Sequence, residues 1–294
     1  MISNEAQAVK NILREAKEGG TPPTTIEEQR LGLEAVASSW PVAESVSIKD
    51  CTIASLQSIE ILPATTSSDR TLLWLHGGAY SAGSIKTHQS MVSRIVAASN
   101  VKALLPEYRL APEDPFPAAI EDALMAYKEI IAQNGGASKI IVGGDSAGGG
   151  LTLALMLKLK ENNIELPSKL VLLSPWTDLT ASGSSVKDRA EADPWLSSDL
   201  LTPAAAVYLG TTPPGDPMAS PLFGELSNLP PTLTIVGDDE ILLSDSTRLH
   251  DALVDAGVDS QLIVAEGMWH VYATFPGFKE SDEAIESVAS FISK

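Results

Sequence analysis

Hydrophobic and polar residues follow two different periods in the first part of the chain. Within residues 1–18, apolar side chains recur at helical spacing, which predicts an amphipathic helix, and a second helix is predicted over about 24–39. Residues 46–48 and 56–61 instead alternate apolar and polar side chains one by one. Such alternation is typical of antiparallel strands with one exposed face, so both segments are predicted to be half-exposed edge strands.

Further along, the pattern changes to short runs that are almost wholly apolar. Runs of this kind favour parallel strands that are buried on both faces. They occur at 72–75, 103–105, 140–142, 170–173, 233–236 and 262–264. Helices are predicted between most of them and after the last, at about 86–99, 117–133, 147–162, 244–256 and 280–293. The alternation predicts an α/β protein with a mostly parallel, eight-stranded sheet flanked by helices.

One segment interrupts this alternation. Residues from about 180 to 215 are rich in Ser, Ala, Asp and Pro, and they include a predicted helix at about 197–209. An insertion near the carboxyl edge of a parallel sheet lies over the place where such sheets bind ligands. We therefore predict that 180–215 and the N-terminal helices, within 1–45, form a small helical cap on a main domain of residues 46–294.

Composition and charge narrow the function classes. The 294 residues carry a formal net charge of −18, which argues against nucleic-acid binding because phosphate contacts need clustered Lys and Arg. A single cysteine, Cys51, excludes an internal disulfide and disfavours a cysteine-ligated zinc site. The N-terminus lacks the pattern of a secretory signal, and no run approaches the about 18 apolar residues of a membrane span. We expect a cytoplasmic protein without a membrane span.

The first chemical motif is a glycine-rich turn between the apolar run at 140–142 and the helical stretch after it. It reads Gly143-Gly144-Asp145-Ser146-Ala147-Gly148-Gly149 and contains the pattern G-x-S-x-G of a nucleophile elbow. An elbow holds the serine hydroxyl clear of the backbone at a helix N-terminus, where free N–H groups can stabilise an oxyanion. The pentapeptide alone is equally compatible with a tight turn after a buried strand, so other residues must decide.

A nucleophilic serine needs a base, usually histidine, and the chain has four histidines. His250 lies inside a predicted helix and is interpreted as a surface residue. His88 opens another helix and is interpreted as structural. His76 directly follows a buried strand and begins a His-Gly-Gly loop. His270 lies on the loop after the last strand, at the sheet edge where catalytic groups collect in open α/β sheets, so elimination selects it as the base.

The acid and the oxyanion loop are sought at other strand ends. In chains with a nucleophile elbow, the acid follows the serine and the histidine comes last. The strand before last is followed by three competing carboxylates, Asp238, Asp239 and Glu240, and chain order does not choose among them. The loop His76-Gly77-Gly78 lies 70 residues before the serine and resembles the glycine loops that supply oxyanion N–H groups in esterases.

Taken together, these segments resemble the hormone-sensitive-lipase family of bacterial esterases, within the α/β-hydrolase fold. The resemblance covers about residues 70–275 and includes the elbow. Its other segments are His76-Gly77-Gly78-Ala79-Tyr80 with Gly83, Tyr108-Arg109-Leu110-Ala111-Pro112-Glu113 with Pro115-Phe116-Pro117-Ala118, Ser174-Pro175-Trp176, Ser220-Pro221-Leu222, Leu229-Pro230-Pro231, and Gly267 with His270. It implies that 46–294 is an α/β-hydrolase catalytic domain.

The resemblance implies a role for each part of the site. Ser146 is the implied nucleophile and His270 the implied base. The N–H groups of Gly77, Gly78 and Ala147 form the implied oxyanion hole. No metal and no organic cofactor is expected.

The family also bears on the acid. Its acid stands three residues after the small residue that ends the strand, and counting from Gly237 this implies Glu240, where aspartate is the usual residue. Asp239 remains the alternative. Asp145, next to the serine, is expected to stabilise the geometry of the elbow and not to serve as the acid of His270.

The implied function is a serine carboxylesterase that hydrolyses short- to medium-chain acyl esters through an acyl-enzyme. Its expected partner is a small-molecule ester, and pairing through the sheet edge near the last strand, frequent in the family, makes a homodimer an expectation. Two alternatives remain. One is a serine amidase or peptidase on the same fold. The other is an inactive binding module, against which the presence of His270 argues.

Overall fold

The computed structural model describes residues 2–19, 24–65 and 68–294. Residue 1 of the predicted first helix lies outside these residues. In the described part of the chain, the strands are β1 (Val46–Ile53), β2 (Leu56–Pro63), β3 (Thr71–Leu75), β4 (Lys102–Pro106), β5 (Ile140–Asp145), β6 (Lys169–Leu173), β7 (Thr232–Gly237) and β8 (Ser260–Ala265). They form one eight-stranded sheet, which confirms the predicted number of strands, in the order β1-β2-β4-β3-β5-β6-β7-β8.

The predicted antiparallel hairpin at the start of the sheet is confirmed. β1 pairs with β2 along its whole length, from Val46 opposite Pro63 to Ile53 opposite Leu56. We predicted that both strands lie at the edge, but β2 also pairs antiparallel with β4 and therefore lies one place inside the sheet. Of the two strands, β1 is at the edge. All other neighbouring pairs are parallel.

The predicted helices are present with small shifts at their ends. In the described residues the helices are α1 (Asn4–Gly19), α2 (Ile26–Ala37), α3 (Ile85–Ser99), α4 (Ala118–Asn134), α5 (Ala147–Glu161), α6 (Ser185–Asp188), α7 (Ser198–Leu209), α8 (Leu243–Asp255) and α9 (Lys279–Ser293). The short α6, inside the segment 180–215, was not predicted. None of these helices is long and apolar enough to cross a membrane.

The helices cover both faces of the sheet, and the two faces of each inner strand enter different cores. Along β3, Leu73 and Leu75 pack into the core formed with α4, α5 and α8. Leu72 and Trp74 point the other way, into the core formed with α3 and α9. Because both faces are buried, an inner parallel strand needs apolar residues at every position, which is the pattern that predicted it.

β8 differs from the other predicted parallel strands. We predicted that the run at 262–264 is buried on both faces, but β8 is the edge of the sheet and its residues alternate between half-buried and exposed. Ile263 and Val264 are 38% and 44% exposed. An edge strand has a neighbour on one side only, so an apolar run does not by itself guarantee burial.

Candidate active site

Ser146 lies between β5 and α5, on the sharp turn that the motif predicted. Its φ of 52° and ψ of −122° lie in a region that side chains rarely adopt, so the backbone is strained there. Packing holds this strain in place, since Ser146 N–H donates to Leu173 O of β6 at 2.9 Å. The residue is the N-cap of α5, and its side chain is half-buried.

The glycines of the elbow are required by close backbone contacts. A Cβ atom on Gly144 would lie 2.3 Å from Gly148 O, and one on Gly148 would lie 1.9 Å from Leu75 O. No side chain fits at either position without moving β3 or α5. The motif therefore requires glycine at these two positions because the neighbouring backbone leaves no room for a Cβ atom.

Ser146, His270 and Glu240 form a continuous chain of hydrogen bonds. Ser146 Oγ lies 2.9 Å from His270 Nε2, and His270 Nδ1–H donates to Glu240 Oε1 at 3.0 Å. The imidazole is 3% exposed and the carboxyl is fully buried. Each of the three residues follows the carboxyl end of a different strand, namely β5, β7 and β8. The parallel sheet thus brings together groups that lie 124 and 30 residues apart in the chain.

The second oxygen of Glu240 is also fully engaged. Glu240 Oε2 accepts from Ser174 Oγ at 2.7 Å and from Gly237 N–H at 2.9 Å. Ser174 Oγ in turn accepts from Val271 N–H at 3.0 Å, so one hydroxyl links the acid to the residue after the histidine. Sequence reasoning gave Ser174 no role. Its position directly after β6, between the strands that lead to the serine and to the acid, was the signal available.

Against the effect of burial, Glu240 raises the pKa of the His270 imidazole. Burial has the largest single influence and lowers the pKa of His270, but the hydrogen bond and negative charge of Glu240, with the charges of Asp193 and Asp145, outweigh it. The net effect raises the pKa of His270 above its ordinary value of 6.5. A base of higher pKa accepts the proton of a serine hydroxyl more readily.

The other two carboxylates of the acid loop have different partners. Asp238 Oδ1 accepts from Gly267 N–H at 2.5 Å. Asp239 Oδ2 pairs with Lys10 Nζ of α1 at 2.5 Å, and Lys10 also donates to Gly267 O at 2.9 Å. Of the three acids that chain order left open, Glu240 is therefore the one bonded to the imidazole.

The loop after β3 lies beside the serine, but not all of its predicted donors are free. Gly77 N–H donates to Asp145 Oδ2 at 3.2 Å and also lies 3.3 Å from His88 Nε2, so in this structure it is bonded to side chains instead of pointing to a substrate. Gly78, Ala79 and Ala147 N–H make no hydrogen bond within the described residues. The motif located the loop correctly, but the direction of each N–H depends on backbone angles that the motif does not encode.

The other three histidines are not hydrogen-bonded to Ser146 and have partners of their own. His76 is fully buried under the stacked ring of Tyr108, and burial, with the charge of His88, lowers its pKa to about 3. His88 lies on α3 and contacts Asp145 at 3.0 Å. His250 lies on α8, half-buried, and bonds to Ser260 Oγ at 2.9 Å.

Part of the predicted cap reaches the site directly. The indole of Trp195 packs against the His270 ring, with 6.0 Å between ring centroids. The buried carboxylate of Asp193 accepts from Trp195 N–H at 2.8 Å and from Ile241 N–H, next to Glu240, at 2.9 Å. Residues 193–195 therefore join the insertion to the acid loop, a connection that sequence reasoning missed because composition marks this segment only as irregular.

Comparison with known proteins identifies the family of the chain. A family model described as alpha/beta hydrolase fold matches residues 72–274. An esterase of Acinetobacter venetianus is 35% identical over 261 residues, covering 88% of this chain and 86% of that protein. An acetyl-hydrolase of Streptomyces hygroscopicus is 33% identical over 296 residues, covering 99% and 97%.

Solved structures give the same result. The crystal structure of an esterase from the bacterial hormone-sensitive lipase family superposes with a TM-score of 0.96 at 37% identity, covering 100% of this chain and 98% of that one. A hormone-sensitive lipase from a metagenome library superposes with a TM-score of 0.95 at 34% identity, covering 100% and 98%. The chain therefore belongs to the bacterial hormone-sensitive-lipase family of the α/β-hydrolase fold and is a carboxylic ester hydrolase.

Proposed function

We propose that this ester hydrolase works by a serine mechanism, with Ser146 as nucleophile, His270 as base and Glu240 as the acid that orients the base. One observation carries the proposal. Glu240, His270 and Ser146 are joined by hydrogen bonds of 3.0 and 2.9 Å that end on a hydroxyl at the N-terminus of α5. A carboxylate, an imidazole and a hydroxyl in this order can activate the hydroxyl at neutral pH.

The reaction proceeds in two halves. Ser146 Oγ attacks the ester carbonyl carbon while its proton moves to His270 Nε2, and a tetrahedral intermediate forms. The bond between carbon and the alcohol oxygen then breaks, and the alcohol leaves with the proton from Nε2, which produces an acyl-enzyme. Water, deprotonated by the same nitrogen, then attacks the acyl carbon. The bond between that carbon and Ser146 Oγ breaks as Nε2 returns the proton to Oγ, which releases the carboxylic acid and restores the enzyme.

We propose that the N–H groups of Gly78 and Ala147 stabilise the oxyanion, and that Ala79 N–H assists them. These groups lie on the two segments that flank the serine, and none has a hydrogen-bond acceptor among the described residues. The predicted participation of Gly77 requires its N–H to leave Asp145, so that role stays a prediction. One oxyanion donor typically contributes about 10²- to 10³-fold to kcat.

We propose that the substrates are short- to medium-chain acyl esters and that residues 1–45 and 180–215 form the cap that limits them. The support is the position of Trp195 against His270, which places a large side chain of the insertion at the reacting atoms. α1 adds contacts to the same segment, since Lys17 Nζ donates to Asp193 O at 2.7 Å. The relative from Streptomyces hygroscopicus is an acetyl-hydrolase, in keeping with small acyl groups.

Turnover of p-nitrophenyl esters from acetate to palmitate tests both proposals. We expect the highest kcat/KM at short to medium acyl length and a loss of about 10⁴- to 10⁶-fold in kcat for Ser146→Ala. Unchanged turnover by purified Ser146→Ala would exclude the serine mechanism. A preference for the longest chains would contradict the acyl limit alone.

The same assay separates the alternatives. An amidase or peptidase would cleave a p-nitroanilide of the same acyl group at a rate comparable to the ester, whereas we expect the ester to be strongly preferred. An inactive binding module would turn over neither compound.

We also propose a homodimer formed along β8. Its support is the free edge strand with two exposed apolar residues, Ile263 and Val264. Light scattering after size exclusion would give twice the monomer mass, and Val264→Glu is expected to shift it to the monomer. The cytoplasmic location stays a prediction that cell fractionation can test.

A further inference from the structure

A second carboxylate–imidazole pair lies on the opposite side of the nucleophile. Asp145, the residue before Ser146, is 1% exposed, and His88 of α3 is 7% exposed. Their closest atoms, Asp145 Oδ2 and His88 Nε2, are 3.0 Å apart. The serine mechanism uses neither residue, and a buried pair of titratable groups beside a nucleophile needs an explanation.

The surroundings of His88 favour its charged form. Nε2 lies 3.0 Å from Asp145 Oδ2, and Gly77 N–H, which donates to the same oxygen, also lies 3.3 Å from Nε2. Nδ1 lies 2.7 Å from Thr87 Oγ1 and 3.3 Å from the carbonyl oxygen of Ser84. Thr87 Oγ1 accepts from Ser84 N–H at 2.8 Å and lies 2.8 Å from that carbonyl. A buried carboxylate in contact with Nε2 and two oxygens in contact with Nδ1 stabilise a doubly protonated, cationic imidazole.

Asp145 connects this cation to the oxyanion loop. Its Oδ2 accepts from Gly77 N–H at 3.2 Å, and its Oδ1 accepts from Trp74 Nε1–H at 3.0 Å. A Cβ atom on Gly77 would lie 2.3 Å from Asp145 Oδ2 and 3.1 Å from Ser146 Cβ. The loop backbone thus runs between the carboxylate and the serine, which places a full negative charge close to the developing oxyanion.

We propose that His88 is a buried imidazolium that neutralises Asp145 and, through it, positions the oxyanion loop. This inference rests on the proposed serine mechanism. Without the cation, the Asp145 carboxylate would repel the negative charge of the tetrahedral intermediate, and among the described residues Oδ2 would keep only its bond to Gly77 N–H. His88 is a positioning residue, since it contacts neither the substrate nor the reacting atoms.

The other charged groups around the pair do not replace His88. His76, at the end of β3, packs 5.4 Å from the His88 ring and is neutral, because burial and the charge of His88 lower its pKa to about 3. Glu107, after β4, cannot neutralise Asp145 because a carboxyl group never carries a positive charge, and it accepts from Ile85 N–H of α3 at 2.8 Å. His270 lies on the far side of Ser146 and is bonded to Glu240. His88 is thus the cation in contact with Asp145.

A double-mutant cycle with His88→Gln, Asp145→Asn and the double variant tests the proposal. We expect His88→Gln to lower kcat by about 10²-fold, the size of one oxyanion donor, with little change in KM. The loss should grow as pH rises and Asp145 ionises, whereas a purely structural role predicts a loss independent of pH. In the Asp145→Asn background, His88→Gln should change kcat by less than about threefold, because the charge to be neutralised is gone. His250→Gln is the matched control and should leave kcat unchanged.

Nitrogen-15 NMR of histidine side chains tests the cation in the unaltered protein, so the proposal does not depend on the folding of a variant. We expect the His88 signals of a doubly protonated ring at pH 8. A neutral His88 at that pH, or equal losses from His88→Gln in both backgrounds, would overturn the proposal. Failure of the serine mechanism would appear separately, as unchanged turnover by Ser146→Ala.

Discussion

Two buried carboxylate–histidine pairs flank the same serine, and they differ in what the histidine faces. The free ring nitrogen of His270 lies 2.9 Å from Ser146 Oγ, a group that can give up a proton. Both nitrogens of His88 are in contact with protein groups, Nε2 with Asp145 Oδ2 and Gly77 N–H, and Nδ1 with Thr87 Oγ1 and the carbonyl oxygen of Ser84. Both histidines are buried and both have an acidic partner, so these two properties alone do not make a histidine a catalytic base. The difference is a ring nitrogen that is left for the nucleophile.

The pairs also differ in the elements that hold them. His88 and Asp145 lie on a helix and at the end of a strand, inside the packed core. Glu240 and His270 lie on loops after β7 and β8, and they depend on hydrogen bonds from Ser174 and Gly237 for their geometry. A site on loops can be tuned by single contacts, whereas a pair inside the core is expected to tolerate little change.

The largest effect is expected from removing the base of the first pair. His270→Ala should lower kcat by about 10⁴- to 10⁶-fold, because among the described residues His270 is the group that is hydrogen-bonded to Ser146 Oγ and can accept its proton. Stopped-flow release of p-nitrophenol should show no acylation burst. If His88→Gln caused an equal loss without loss of folded structure, the distinction between the two pairs would fail.

Removing the charge of the acid is expected to have the next largest effect. Glu240→Gln keeps the size of the side chain but cannot stabilise the imidazolium, so kcat should fall by about 10³- to 10⁴-fold. Asp239→Asn is the matched control from the same loop and should lower kcat by less than about tenfold. The opposite order of these two losses would show that the hydrogen bond to Glu240 is not the productive one.

The pH dependence of kcat/KM distinguishes the two pairs, because it depends on the pKa of His270. His270 must be neutral to act as a base, so kcat/KM should rise with pH through the pKa of His270. Burial acts to lower this pKa, but the bond and charge of Glu240 raise it above 6.5, and the rising limb should lie there. In Glu240→Gln the bond and charge of Glu240 are lost, so that only the charges of Asp193 and Asp145 still oppose burial, and the limb should move to lower pH. A limb that stays in place in this variant would mean that Glu240 does not tune the base.

The sequence predicted the sheet, the helices and the family because these depend on local patterns. Period-two alternation, apolar runs and the glycines of the elbow can each be recognised within a few consecutive residues, even though the groups packed against them lie elsewhere in the chain. Chain order left three acids open, and the reason is physical: Asp238, Asp239 and Glu240 differ mainly in direction, which is determined by distant partners. Ser174, Gly267 and Lys10 supply those partners.

The same limit applies to the oxyanion loop and to the second pair. The motif identified Gly77 as a donor, but the direction of its N–H depends on Asp145, which lies 68 residues away. His88 was interpreted as structural from its position at the start of a helix. Its charge follows from contacts with Ser84, Thr87 and Asp145, of which only the first two are near in sequence.

The smallest effect is expected from the contact that joins the loops of the first pair to α1. Lys10 Nζ bridges Asp239 Oδ2 and Gly267 O, one on the loop of the acid and one on the loop of the base. Lys10→Met should lower kcat by less than about tenfold, since the loops keep their other bonds, and should lower the free energy of unfolding by about 1–3 kcal/mol. Steady-state kinetics and urea denaturation measure the two effects.

Lys17→Met is the control for this last prediction, because Lys17 joins α1 to Ala190 and Asp193 of the insertion but not to the loops of the pair. If Lys10 acts through the loops, its loss should reduce kcat more than the loss of Lys17 at similar stability. Equal reductions would mean that both lysines act only by holding α1 in place. The geometry of Glu240 and His270 would then not depend on the bridge that Lys10 makes to their loops. In that respect the pair would resemble Asp145 and His88, which are held by the core.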